Sequence, residues 1–504
     1  MTYIDVIISL TPSSATNLVS VNICLIQDLI TKIVQTPTKV LSRGTNGMVY
    51  LASPNTLVKR SLIFDTGAYD EPKPIFVKVE DQHVLDCNIR ELSFLKQFQH
   101  PNILRLLDYS ICEGKINLAV ERGIVLDEWM KEFSCMKRCQ MLPKILFQLI
   151  NALYFFEING LIHQDVKLGN VIAFPKDGDD FTIKLIDFGG IEFPKNIQYM
   201  SLCTSYCRAP EAFKCSCCDR YPCNNGFSPI FSSKGDVFSL GLLCMDWIAK
   251  SPIIYDNYDT PGKQRQWLQQ GRKSVPDILD IFSRLKQGKV PGLVNIIKNM
   301  IILDHTERIS IHDLYHYPYF FTMRRDNIPP SIAVDFNHNI TEVLSKHTEI
   351  THAMRSILIE WMGDIFFNLK CPLALSLAVS MVDRYLRKQV ITRDKLQELG
   401  CACIILAIAM TDAPRGTINY MVTASDKAFT HVELRDRVEH VILTLDGQLW
   451  RRCFDHSIYN PNWTRVLFIC MNLNLFSSYS KSSDIYKSKE VVVTDSVITS
   501  KHFV

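Results

Sequence analysis

His163-Gln164-Asp165-Val166-Lys167-Leu168-Gly169-Asn170 reads H-x-D-x-K-x-x-N, and Asp187-Phe188-Gly189 begins 17 residues after that Asn. Phosphoryl transfer needs these groups together. A carboxylate (Asp165) orients the attacking hydroxyl, and an ammonium (Lys167) balances charge on the moving group. An amide and a second carboxylate (Asn170, Asp187) hold Mg²⁺ ions that bridge the phosphates. A single H-x-D triplet arises by chance, but the ordered set does not.

The stretch resembles the catalytic loop of a protein kinase, and other parts of that family's pattern follow in the same order. Ser42-Arg43-Gly44-Thr45-Asn46-Gly47-Met48-Val49 lies in Lys39–Lys59, a segment that reads as two strands around a turn. Gly44, Gly47 and Val49 fit G-x-G-x-x-G-x-V, with Ser42 in place of the first glycine. Glycines there let backbone N–H groups approach nucleotide phosphates. Taken alone, the segment reads as an ordinary hairpin. Ile75-Phe76-Val77-Lys78-Val79 alternates as a strand, and the resemblance makes Lys78 the lysine on the α- and β-phosphates. Phe76 stands where the family usually has Ala, a change that narrows the adenine pocket.

Leu85, Ile89, Leu92 and Leu95 form one helical face, and Glu91 on that helix is expected to pair with Lys78. The run Asn88-Ile89-Arg90-Glu91-Leu92, followed by His100-Pro101-Asn102-Ile103, is similar to the cyclin-binding helix of cyclin-dependent kinases. In that family a partner rotates the glutamate inward. Asn117–Glu121 reads as the strand entering the hinge, with Glu121 at the hinge and Ile172 as the floor under adenine. Asp127 suits either a ribose contact or a helix cap.

Thr204, Arg208 and Glu211 lie in Cys203-Thr204-Ser205-Tyr206-Cys207-Arg208-Ala209-Pro210-Glu211, similar to the family's T-x-x-Y-R-A-P-E segment. The resemblance implies that Thr204 bonds Asp165 and Lys167, a Ser/Thr-kinase trait, and that Arg208 borders a P+1 site favouring proline. It also implies a Glu211–Arg308 pair and an Asp236 that anchors the catalytic loop. Two departures bear on regulation. Gln164 and Glu192 replace arginines that read an activation-loop phosphate, leaving Arg90, so activity is expected without that phosphorylation. Cys215, Cys217, Cys218 and Cys223 have enough thiols for Zn²⁺ but lack clean C-x-x-C knuckles, so free thiols are the favoured reading.

Beyond the Pro329-Pro330 boundary the pattern turns all-helical: Ala353–Leu369, Pro372–Leu386, Arg393–Met410 and Val432–Trp450. This half resembles a five-helix cyclin box. Met354, Ile357, Leu358, Trp361, Asp364 and Gln397 match the patch that captures Arg-x-Leu segments in cyclins, with bundle core as the alternative reading of each. Glu439 fits one of the two cyclin residues that grip the kinase, and Ala409 replaces the other, a lysine.

The 504-residue chain has room for two or three domains, and its Lys+Arg 55 against Asp+Glu 52 is too balanced for nucleic-acid binding. Seventeen cysteines without a secretion signal point to reduced thiols in cytoplasm or nucleus. The N-terminal apolar residues are interrupted and make no membrane span of ~18–20 residues. The expected division is an extension at 1–38 and a kinase domain at 39–321, with N-lobe 39–121 and C-lobe 122–321. A linker at 322–337, a cyclin-box-like domain at 338–459 and a tail at 460–504 follow. The fold class is a bilobal α+β kinase followed by an all-α domain. The implied activity is ATP- and Mg²⁺-dependent Ser/Thr phosphorylation of proteins by a kinase carrying its own activator, an economy that suits a large DNA virus. The rival readings are a pseudokinase scaffold, suggested by Phe76, Ser42 and Gln164, and an active kinase whose helical half binds a different protein.

Overall fold

The computed structural model describes residues 40–44, 47–62, 82–112, 114–191, 195–196, 204, 207–212, 230–250, 276–323, 340–368, 373–411 and 418–449. The extension at 1–38, where Val19–Val34 has apolar residues at helical spacing, the strand around Lys78, Glu192, Cys215–Cys223 and the tail lie outside these residues.

Five antiparallel strands form the N-terminal sheet, in the order β1-β2-β3-β5-β4. They are β1 (Val40–Gly44), β2 (Gly47–Ser53), β3 (Thr56–Leu62), β4 (Leu106–Cys112) and β5 (Lys115–Glu121). Lys39–Lys59 therefore contains parts of three strands, not two. Pro54-Asn55 is a turn signal, and the chain folds back there, pairing Ser53 with Thr56. Period-2 alternation then puts Leu57 and Lys59 on the face of β3 opposite Val58 and Arg60, both buried.

Helix α1 (Gln82–Gln97) crosses the sheet, and β6 (Ile124–Val125) and α2 (Leu126–Trp129) lead into the C-lobe. There α3 (Cys135–Ile158), capped by the Ser134 hydroxyl, is the core helix. It is long and apolar enough to cross a membrane, yet most of it is packed inside the lobe. Strands β7 (Val171–Pro175) and β8 (Phe181–Leu185) flank the catalytic loop, and β9 (Lys195–Asn196) pairs with β10 (Ile230–Phe231). The lobe is completed by α4 (Ser233–Ala249), α5 (Pro276–Gln287), α6 (Gly292–Met300) and α7 (Ile311–Tyr315).

The second half consists of α8 (Ile340–Leu344), α9 (His352–Asn368), α10 (Leu373–Lys388), α11 (Leu396–Thr411), α12 (Ile418–Ala424) and α13 (His431–Thr444). Helix α11 is its axis and is buried from Leu399 to Met410. Gly400 allows α9 to pack closely, because a Cβ there would lie 2.7 Å from Leu358 Cδ1. Helix α13 stops short of the expected Trp450, at a turn through Asp446 and Gly447 with φ of 53° and 66°. One contiguous apolar cluster runs from α1 through the C-lobe into these helices.

Candidate active site and the helix that completes it

Glu91 on α1 meets Lys59 on β3, with 2.5 Å between Nζ and Oε2, and Lys59 also lies 3.8 Å from Asp187. This corrects the expected pairing with Lys78, which lies outside the described residues. The physical reason is the Pro54-Asn55 turn, which brings the next strand beside the hinge strand, with Lys59 opposite Leu118. Leu57, opposite Val120, stands two residues before Lys59, as Phe76 stands two before Lys78. Burial opposes the Lys59 charge, but Glu91 and Asp187 outweigh it and hold its pKa above the ordinary lysine value.

The catalytic loop is a closed hydrogen-bond network. Lys167 Nζ donates to Asp165 Oδ2 (2.7 Å) and to the Thr204 hydroxyl (2.6 Å), while the Thr204 N–H donates to Asp165 Oδ1 (2.9 Å). Asn170 Nδ2 donates to the same Asp165 carboxylate at 2.7 Å. Burial raises the Asp165 pKa, yet Lys167 and Thr204 more than offset it, so the group stays below the usual carboxylate range. Beneath the loop, Asp236 accepts the N–H groups of His163 (2.7 Å) and Gln164 (2.8 Å). Its own burial pushes that carboxyl up to about 7. Glu211 and Arg308 form a bidentate pair at 2.6 and 2.9 Å.

Two site residues have left-handed backbones, Gln164 (φ 71°) and Asp187 (φ 66°). Such strain persists only where the surroundings over-determine it. At Gln164 those surroundings are the Asp236 carboxylate and a bond from its amide to the Gly190 carbonyl (3.0 Å). At Asp187 the next residue, Phe188, is fully buried, with its ring 4.6 Å from that of Phe94 on α1. Phe94 also stacks on Phe98 and Phe156. Offset ring pairs are worth about 0.5–1.5 kcal/mol each beyond their area, so the position of α1 and that of Asp187 are coupled.

Asp187 Oδ1 is buried and has no hydrogen-bond partner. Asn170 turns its amide nitrogen to Asp165, so its oxygen is the end left for a ligand. These two oxygens fit Mg²⁺, which commonly takes few protein ligands and completes its shell with phosphates and water. No group of three or more His, Cys, Asp or Glu side chains that suits a metal gathers among the described residues. On the nucleotide side, Gly44 pairs with Gly47 across the β1–β2 turn, Ser42 pairs with Val49, and Ile172 is buried in β7. The Glu121 carboxylate is occupied by Lys184 (2.6 Å) and the Arg105 N–H (2.7 Å). Arg208 is half-buried beside Cys207.

From Asp86 to Leu95 every residue of α1 is buried, including Asn88, Ile89, Arg90, Glu91 and Ser93. A helix enclosed on all faces has partners on all faces. The sheet and Phe188 cover one side, and the helical half covers the other. The Glu439 carboxylate accepts the Gly114 N–H at 2.6 Å, and Ser93 Oγ accepts the Leu449 N–H at 3.1 Å. Asp446 reaches Lys96 (2.9 Å) and Tyr109 (3.0 Å). The sequence reading had identified Glu439 but missed Lys59, Ser93, Lys96, Tyr109 and Asp446. For Lys59 a signal existed, an alternating Thr-Leu-Val-Lys run directly after a Pro-Asn turn. On α9, Ile357 is 66% exposed, Met354 and Trp361 are half-buried and Asp364 is exposed, while Leu358 turns inward onto Gly400. Gln397, on α11, is half-buried.

A two-lobed fold with an acidic and basic catalytic loop, and a helical module packed over α1, defines the class: a protein kinase domain with a second, helical domain attached. Residues 72–320 match the protein kinase domain family and residues 335–449 match the cyclin N-terminal domain family, so the chain is a kinase–cyclin fusion. Strands β1 to β3, which carry Lys59, precede the matched residues.

Proposed function

We propose that this is an active Ser/Thr protein kinase, switched on by its own cyclin domain. The observation that carries the reading is the Lys59–Glu91–Asp187 cluster on a helix enclosed by that domain. ATP bound with Mg²⁺ supplies the phosphoryl group. Lys59 would hold its phosphates, and the Asn170 and Asp187 oxygens would hold the metal. Asp165, kept ionised, accepts a hydrogen bond from the substrate hydroxyl and aligns its oxygen for attack. Lys167, bonded to both Asp165 and Thr204, offsets the charge that builds on the transferring group. Thr204 leaves space for a Ser or Thr acceptor, and Arg208 borders the site where proline preference would be set.

Phe76 no longer weighs against activity, because Leu57 is the residue two before Lys59. Gln164, in place of a phosphate-reading arginine, bonds the Gly190 carbonyl instead, and with Glu192 replacing a second arginine, activity should not depend on activation-loop phosphorylation. The exposed Ile357, with Met354, Trp361 and Asp364, is the surface on which Arg-x-Leu segments of substrates would dock. The test is transfer of radiolabelled phosphate from ATP to a protein acceptor. Wild type should transfer, with and without prior phosphatase treatment, and Asp187→Asn should not. An inactive wild type would leave the scaffold reading in its place.

A further inference from the structure

Helix α13 ends in a Schellman turn. The Gly447 N–H donates to the Ile442 carbonyl (2.8 Å) and the Asp446 N–H to the Leu443 carbonyl (3.0 Å). The left-handed residue of such a turn is usually glycine, which has no Cβ to clash. Here it is Asp446, with the glycine one place later. An aspartate in that conformation carries a backbone cost that its side chain's contacts can offset.

That side chain joins two elements of the kinase half. Asp446 Oδ1 receives Lys96 Nζ from the last turn of α1 and the Tyr109 hydroxyl from β4. Lys96 Nζ also stands 5.0 Å from the centre of the Tyr109 ring. Burial, and then the neighbouring Asp446, hold Tyr109 well above its ordinary pKa, so it keeps the proton it donates. Gly447 makes the close approach possible, since a Cβ there would come 3.1 Å from Lys96 Cγ and 3.4 Å from Leu92 Cγ. Ser93 and Lys96, held from this side, share one face of α1. Glu91 lies roughly 140° round the helix from Lys96, at 100° per residue, and so points at the cleft. Meanwhile Ala409, where the resemblance to cyclins expects a gripping lysine, is wholly buried and offers no charge.

We propose that Asp446 is a positioning residue for the transferase site. By tying Lys96 to Tyr109 it fixes the rotation of α1 that keeps Glu91 on Lys59, and it supplies the charged grip that Ala409 lacks. The inference rests on the kinase reading above for its effect on catalysis, but not for its effect on α1.

The test uses the full chain with Asp446→Gly, Lys96→Glu, Asp446→Lys and the Lys96→Glu/Asp446→Lys pair. Three quantities are read: melting temperature, hydrogen-exchange protection of the α1 amides, and kcat on casein. Asp446→Gly relieves the left-handed strain, so its melting temperature should hold or rise. Its α1 protection and kcat should nonetheless fall about tenfold, the scale of a half-exposed ion pair plus a charge-assisted hydrogen bond. The charge-swapped pair should recover most of what either single reversal loses. Unchanged α1 protection in Asp446→Gly, or a swap no better than the singles, would overturn the proposal. If no chain transfers phosphate, the exchange data alone decide it, and the kinase reading fails separately.

Discussion

Lys59 is the residue on which the site turns, and it was the least legible in the sequence. The β-branched run around Lys78 reads as the better strand, and only the sheet register reveals that the Pro54-Asn55 turn has already delivered a lysine beside the hinge. Asp165, Lys167, Asn170 and Asp187 were legible because most of their geometry comes from one short contiguous loop. Replacing Lys59 with Met should lower kcat/KM at least ~100-fold, the usual scale for losing an aimed electrostatic contact, whereas Lys78→Met should stay within about twofold. Initial rates of the two variants decide the assignment. Asp236 gives a pH prediction. Its folded pKa is about 7, above the unfolded value, so the folded chain takes up a proton first as pH falls through 7. This group's contribution to stability therefore grows with acidification, while the ionised acceptor that holds His163 and Gln164 is lost. Activity should show an acid limb near pH 7. Asp236→Asn should remove that limb and flatten the corresponding slope in melts between pH 5 and 8.

Among the elements, α1 shows how far periodicity carries and where it stops. The spacing of Ile89, Leu92 and Leu95 predicts a helix with one buried face. Its polar face is buried as well, because a second domain lies against it; periodicity does not record that, and only the resemblance of the Asn88–Leu92 run to a cyclin-binding helix pointed to it. Helix α3 carries Pro143 in its interior, where a proline would ordinarily mark a start. It begins at Cys135 because Ser134 caps it and its flanks bury Arg138 and Cys139. The expectation of a helix to Trp450 failed at Asp446, since aspartate in a C-terminal turn carries a weaker stop signal than glycine. In the cyclin half, Gly400 sets the approach of α9 to α11. Gly400→Ala should cost about 1–3 kcal/mol through overpacking against Leu358, measured as a lower denaturant midpoint with unchanged slope.

As a whole, the molecule is a kinase and a cyclin domain sharing one apolar cluster and joined through residues 324–339. A tether of that length gives an effective concentration near ~mM, so a grip through Glu439, Ser93 and Asp446 holds the halves together without great intrinsic affinity. On the proposed reading, ordering of the catalytic cluster would follow from this linkage without an added phosphate. The kinase and cyclin classes, and their order along the chain, were legible from motifs. That the two halves meet at α1, with Glu439 as one grip, was legible too; the remaining contacts were not, because they are made by side chains whose partners lie more than 300 residues away, as Tyr109 and Asp446 do. The most direct measurement places a protease site within 324–339, cuts it, separates the halves and compares phosphate transfer by the kinase half with that of the uncut chain. The freed kinase half should lose at least about tenfold in rate, one factor of ten being about 1.4 kcal/mol of lost positioning, and regain it when the cyclin half is returned. A separated kinase half that keeps the uncut rate would contradict the account.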